Sequence, residues 1–213
     1  MIRPVRVPSL GDLAFTSYVF PALTSYDESL SVFQRAVGGV PDLTLYEDLH
    51  ALHAWLNAWR CRLPLSGREH ALEEVRAWFE LYRNSFPSAE VGLHQIDDAA
   101  LASVAQIFAD LANRPAGDDR KFGATATSKT LHALHPHVFL PWDRAIRAGF
   151  QCDGSGESYV RFLRHARGHL KAIERECRSH GVALDNLHRV LDQGGWTLVD
   201  LLNQYYWVTI TRG

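Results

Sequence analysis

The chain has 213 residues, of which 46% are hydrophobic and 22% are charged, and its net charge is −2. These values fit one domain, or two closely joined lobes, and exclude a chain that is disordered throughout. The contents of glycine (15) and proline (9) are ordinary, which excludes collagen-like and low-complexity proteins.

Cellular location is also constrained by the sequence. The apolar runs are far shorter than the ~20 residues that a membrane span requires. The opening residues MIRPVRVPSLGDL lack the apolar segment of a secretory signal. The three cysteines form no CxxC motif, which favours a reducing compartment over a disulfide framework. We therefore expect a cytoplasmic globular protein with no membrane partner, while the oligomeric state is left open.

Helical periodicity dominates the first half of the chain. Apolar residues recur every three or four positions from Leu45 to Trp59, which predicts a helix. Ser66, followed by Glu69, predicts a capping box at the start of the next helix. A third helix is predicted to begin at Asp97. The tryptophans on these apolar faces are expected to fill the core: Trp55, Trp59 and Trp78.

The second half is also predicted to be helical. A helix is expected to begin near Thr125 or Thr127 and to end at Pro136. Further helices are expected from Asp143, over 158–180 and from about residue 196, although the tail 207–211 could form either a helix or a strand. We expect one all-α domain over residues 1–213. The loop 113–123 divides it into possible lobes, 1–114 and 115–213.

Basic residues are concentrated in one part of the chain. Residues 120–178 contain eleven basic and five acidic side chains, giving +6, whereas the rest of the chain carries −8. Five of the basic residues lie along one flank of the predicted helix 158–180: Arg161, Arg164, Lys171, Arg175 and Arg178. This flank could bind a polyanion, or it could simply be the solvated face of an amphipathic helix.

Lys129 and Asp143 are the candidate catalytic residues. A neutral lysine amine is a nucleophile, and a desolvated site lowers the lysine pKa enough to supply it. An aspartate nearby could accept the proton or stabilise a sugar cation at an anomeric carbon. Taken singly, Lys129 could be an ordinary helix lysine and Asp143 the N-cap of its own helix.

The segment SKTLHALHPHVFLPWDRAIR resembles a signature, SKxLHxLxPxxFxxWDxxIR, of an uncharacterised bacterial family. More remotely, it is similar to the helix–hairpin–helix DNA glycosylase superfamily, in which a lysine–threonine pair follows the hairpin and an aspartate opens a later helix. Lys129, Thr130 and Asp143 occupy those places here. The resemblance implies a two-lobed all-α fold that extrudes a nucleotide from DNA and cleaves its N-glycosidic bond.

The same resemblance implies roles for individual residues. Asp143 would stabilise the oxocarbenium-like transition state, and Lys129 would form a Schiff base that permits strand cleavage. Six residues are candidates for substrate binding: His132, Trp142, Arg144, Arg147, Arg161 and Arg164. No cofactor or metal is expected.

The sequence departs from the superfamily in two respects. It has only Gly123 where a GxG hairpin would stand, and the spacing between the lysine and the aspartate is shorter.

Two other functions are compatible with the sequence. The chain could be a non-catalytic all-α module that binds nucleic acid or a protein, with the Lys129–Asp143 segment as part of its core. Alternatively, His132, His135 and His137 could hold a metal ion in a hydrolase, although Pro136 interrupts their helical spacing.

Overall fold

The computed structural model describes residues 5–88, 90–117, 119–193 and 195–212. Within these ranges the chain forms ten α-helices and one short β-hairpin. The helices are α1 (Leu10–Leu23), α2 (Tyr26–Ala36), α3 (Tyr46–Ala58), α4 (Arg68–Tyr82), α5 (Asp98–Asn113), α6 (Gly123–Leu134), α7 (Arg144–Gly149), α8 (Gly156–Ser179), α9 (Leu187–Val190) and α10 (Leu198–Thr211). The hairpin pairs β1 (Pro115–Gly117) with β2 (Arg120–Lys121) in antiparallel orientation. The predicted all-α class is confirmed, and the hairpin replaces the predicted loop.

Polar residues mark the start of several helices. Side chains at the N-cap accept a backbone N–H from the first turn and so satisfy a donor that the helix leaves unpaired. Five helices begin in this way, with N-caps at Ser9, Asp97, Asp143, Ser155 and Thr197. The predicted starts at Asp97 and Asp143 are therefore confirmed.

The predicted capping box at Ser66 is wrong. Helix α4 begins at Arg68, after Gly67, whose φ of +72° lies in the left-handed region. Glu69 does not return to the Ser66 backbone and instead contacts the side chains of Tyr46 and Arg68. The tertiary contact with α3 thus replaces the local motif.

The sequence reading did not identify α1 and α2. Helix α1 carries apolar residues on all sides and Pro21 within it, so it lacks the one-sided period that reveals an amphipathic helix. The tail 207–211, which could have formed a strand, belongs to α10. Its residues continue a helix that starts with a capping box between Thr197 and Asp200.

One hydrophobic cluster connects the helices. Helix α5 packs against α6 and α8, and α1 packs against α10. Helices from both sides of residue 114 therefore contribute to this cluster. Trp55, Trp59 and Trp78 are buried in this core, as predicted. None of the helices in the described ranges combines the length and the apolar composition that crossing a membrane requires.

Candidate active site

A cavity of about 410 Å³ lies where α3, α6, α7 and α10 meet the first two helices. This volume falls in the range of pockets that enclose small ligands. Its lining combines aromatic rings with charged and amide side chains. The residues are Phe20, Tyr26, Leu30, Trp59, Arg60, Thr125, Lys129, Pro141, Trp142, Asp143, Arg144, Ala145, Ile146, Asp200, Asn203, Gln204 and Trp207. The two predicted catalytic residues therefore line the same cavity.

Lys129 lies in the second turn of α6 with 7% of its surface exposed. Its Nζ atom donates to the carbonyl oxygen of Trp59 over 2.6 Å and lies 4.9 Å from the centre of the Trp59 ring. Burial lowers the pKa of Lys129 below its ordinary value, while Cys61 and the charge of Asp143 oppose that shift. The amine is therefore closer to its neutral, nucleophilic form than a surface lysine would be.

Asp143 is the half-buried N-cap of α7. Its Oδ1 atom accepts the backbone N–H of Ile146 over 2.9 Å, which fixes the carboxylate at the head of the helix. The same carboxylate acts electrostatically on Lys129. Asp143 is thus both the N-cap of α7, as its sequence position allows, and a residue of the cavity wall.

His132 lies behind the cavity and does not line it. The side chain is 1% exposed, with Nδ1 2.9 Å from the carbonyl oxygen of Phe139 and Nε2 3.3 Å from Oδ1 of Asp200. Both ring nitrogens therefore face acceptors. His132, predicted as a substrate contact, supports Asp200, which does line the cavity.

Trp142 is fully buried, although it borders the cavity. Its ring packs against Phe108, Tyr159 and Phe162, and its indole N–H donates to the carbonyl oxygen of Ala124 over 3.3 Å. The ring is thus an anchor for the segment that carries Asp143. The structure places it in the core and not on a surface where a base could stack.

The four predicted substrate-binding arginines lie in different surroundings. Arg144 is exposed and lines the cavity, and Arg147 is half-buried with its guanidinium 5.9 Å from the Trp142 ring. Burial lowers the pKa of Arg147, and its Nε atom has no hydrogen-bond partner among the described residues. Arg161 is exposed on α8 outside the cavity. Arg164 shares the Asp98 carboxylate with Arg167, over 3.0 and 2.7 Å, so it already has an ionic contact within the fold.

The three histidines considered as metal ligands do not form a cluster. His135 packs against the rings of Phe86 and Phe139, and burial lowers its pKa to about 4. His137 is exposed. Across the described ranges, no group of three or more His, Cys, Asp or Glu side chains is arranged to hold a metal ion.

Sequence reasoning missed the contribution of α10. Asp200, Asn203, Gln204 and Trp207 all line the cavity. They follow the i, i+3, i+4, i+7 spacing of a single helix face in an otherwise apolar segment. The first three are polar, and a polar stripe of this kind on a buried helix is the signal that would have identified them.

The connection before α6 differs from a glycine-rich turn. It consists of the hairpin β1–β2, in which Gly117 has a φ of +94°, and Gly123 then opens α6 with a φ of +72°. A Cβ on Gly117 would lie 2.4 Å from the Ser66 carbonyl oxygen, so the hairpin is pressed against the segment that precedes α4.

Comparison of the chain with protein-family models, with curated proteins and with solved structures found no match.

Proposed function

We propose that the protein is a DNA-processing enzyme of the glycosylase type, with Lys129 as the nucleophile. The observation that carries the proposal is that a desolvated lysine amine and a capping carboxylate line one cavity, with aromatic rings around them. The partly exposed rings of Tyr26 and Trp207 offer faces against which an extruded base can stack.

The reaction can be written with the groups at hand. The neutral amine of Lys129 attacks C1′ of the extruded nucleotide, and the C1′–N bond breaks with its electron pair leaving on the base, which takes up a proton. The sugar ring then opens as the C1′–O4′ bond breaks and O4′ is protonated, which leaves an iminium between C1′ and Lys129. Asp143 stabilises the positive charge on the sugar during departure of the base. Water then removes a proton from C2′ of this Schiff base, a C2′–C3′ double bond forms, and the C3′–O bond breaks with its electron pair leaving on the 3′ phosphate, which cleaves the strand.

The proposal includes the remote relationship to the helix–hairpin–helix DNA glycosylase superfamily. The lysine-bearing helix α6 and the aspartate that caps α7 follow one another in the order that the resemblance implies, whereas a β-hairpin precedes α6 where the superfamily has its GxG turn. Arg144 at the cavity, with Arg147 and Arg161 nearby along α7 and α8, would supply positive charge for DNA phosphates.

Borohydride trapping tests the proposal. The wild-type protein is incubated with a duplex containing one abasic site, the iminium is reduced, and the cross-linked peptide is identified by mass spectrometry. We expect an adduct on Lys129 that is lost in Lys129→Gln, whose amide keeps hydrogen-bond donors but is not a nucleophilic amine. The matched control Lys171→Gln, at an exposed position on α8, should retain the adduct.

Two results would contradict the proposal. One is an adduct of unchanged yield in Lys129→Gln, and the other is a wild-type protein that forms none. Salt-dependent DNA binding without any adduct, and without strand scission on a panel of modified-base duplexes, would instead support the non-catalytic binding module.

A further inference from the structure

A basic side chain at the cavity occupies a backbone position that normally takes glycine. Arg60 follows α3 with a φ of +59°. Its N–H donates to the Asn57 carbonyl oxygen, and the next N–H, from Cys61, donates to the Leu56 carbonyl oxygen, both over 2.9 Å. This pair of hydrogen bonds ends a helix at one residue in the left-handed conformation. Glycine is preferred at that position because the Cβ of any other residue strains the backbone there.

The Arg60 side chain also forms no ion pair with any residue that the structure describes. It is exposed, and within the described ranges no carboxylate forms an ion pair with it. It lines the cavity that holds Lys129 and Asp143. Left-handed backbone strain, the lack of an ion pair and a place in the cavity wall together suggest that the Arg60 side chain is kept for binding.

Arg144 provides a second guanidinium at the same cavity. It is the first residue of α7, is exposed, and likewise forms no ion pair with a described residue. The two arginines come from separate elements, the end of α3 and the start of α7. Guanidinium groups bind phosphate oxygens in a bidentate manner, which makes such a pair suited to a phosphodiester backbone.

We infer that Arg60 and Arg144 bind the DNA phosphates that flank the nucleotide held in the cavity. The inference rests on the proposed function, because it takes the cavity ligand to be a nucleotide still joined to its strand. A base inside the cavity leaves its two phosphates outside it, and these two side chains both line the cavity and are exposed to solvent. Arg60 was absent from the residues that the sequence indicated.

Replacing Arg60 by glycine separates the effect of its side chain on DNA binding from its effect on stability. Arg60→Gly removes the guanidinium and relieves the left-handed strain, so it should raise Tm by about 2 °C while it weakens DNA binding. The control is Arg62→Gly, which removes the same charge two residues away. Arg62 is also left-handed, with a φ of +55°, and is exposed, but it does not line the cavity.

The measurement is fluorescence anisotropy with a labelled duplex that carries one tetrahydrofuran abasic-site analogue, at several salt concentrations, together with thermal unfolding. We expect Arg60→Gly to weaken binding about tenfold at low salt and to reduce the slope of log K against log salt by about one. Arg144→Gln should act in the same direction. Arg62→Gly should bind within about twofold of wild type under the same conditions.

The outcomes distinguish the inference from the function on which it rests. If the wild type binds but Arg60→Gly binds equally well, the inference fails and the proposed function stands. Equal weakening by Arg60→Gly and Arg62→Gly would also overturn it, because the effect would then be general electrostatic attraction. If the wild-type protein does not bind the duplex at all, the proposed function fails and the inference fails with it.

Discussion

The Nζ atom of Lys129 lies 2.6 Å from the carbonyl oxygen of Trp59, a residue 70 positions earlier in the chain. This bond ties α6 to the end of α3 and directs a desolvated amine to the cavity. The indole ring of the same Trp59 lies 4.9 Å from Nζ and is stacked near His132, with ring centres 6.3 Å apart. Lys129 is therefore held by the backbone and the ring of one residue.

The pH dependence of adduct formation should report the pKa of Lys129. Because burial lowers that pKa, the single-turnover rate should rise with pH and level off below the pH at which an exposed lysine would titrate. Asp143→Asn removes a charge that raises the Lys129 pKa, so it should move the profile to lower pH and reduce the plateau rate. Rapid-quench borohydride trapping, from neutral pH up to the range in which an exposed lysine titrates, measures both. An unchanged midpoint in this variant would show that the two groups do not interact.

The capping role of Asp143 can be separated from its electrostatic role. Asparagine accepts the Ile146 N–H as aspartate does, whereas alanine cannot. We expect Asp143→Ala to lower the free energy of unfolding by about 1 kcal/mol and Asp143→Asn to change it little. Chemical denaturation of both variants provides the test. Equal stability of the alanine and asparagine variants would rule out a capping contribution.

Gly156 permits the close contact between α5 and the start of α8. A Cβ at this position would lie 2.0 Å from the carbonyl oxygen of Ala105, a backbone atom that cannot move alone. Gly156→Ala should therefore cost at least about 2 kcal/mol of stability. Gly168→Ala is the matched control in the same helix, because nothing lies within 4 Å of its added Cβ. It should stabilise the protein by about 1 kcal/mol through helix propensity.

Acid should destabilise the fold in part through His135. Its pKa is about 4 in the folded protein because of burial, so the unfolded chain binds this proton first as pH falls. The neutral His135 side chain contributes fully to the free energy of unfolding above its unfolded pKa of roughly 6.5. This contribution is lost as the pH falls from there to about 4, and the loss is no more than about 3 kcal/mol. His135→Leu should flatten the curve of unfolding free energy against pH in this window. His137→Leu, at an exposed position, should leave the curve unchanged.

The sequence by itself determined the helical class, the starts at Asp97 and Asp143, the buried tryptophans and the pairing of Lys129 with Asp143 as candidates. These features depend on local periodicity, on caps and on a short chain separation, all of which can be read from neighbouring residues. The polar stripe on α10 could also have been found from the sequence, although the helices that face it across the cavity could not.

Only the tertiary structure decided what surrounds Lys129 and Asp143. Arg164 forms an ion pair with Asp98, 66 residues away, and the Trp142 ring packs in the core, so neither position could be assigned from spacing along the chain. The Trp59 carbonyl and the cavity-lining Arg60 come from the end of α3, and Asp200 and Asn203 come from α10. Contacts between distant segments depend on how helices pack, and helix packing follows from the whole core, not from any local pattern.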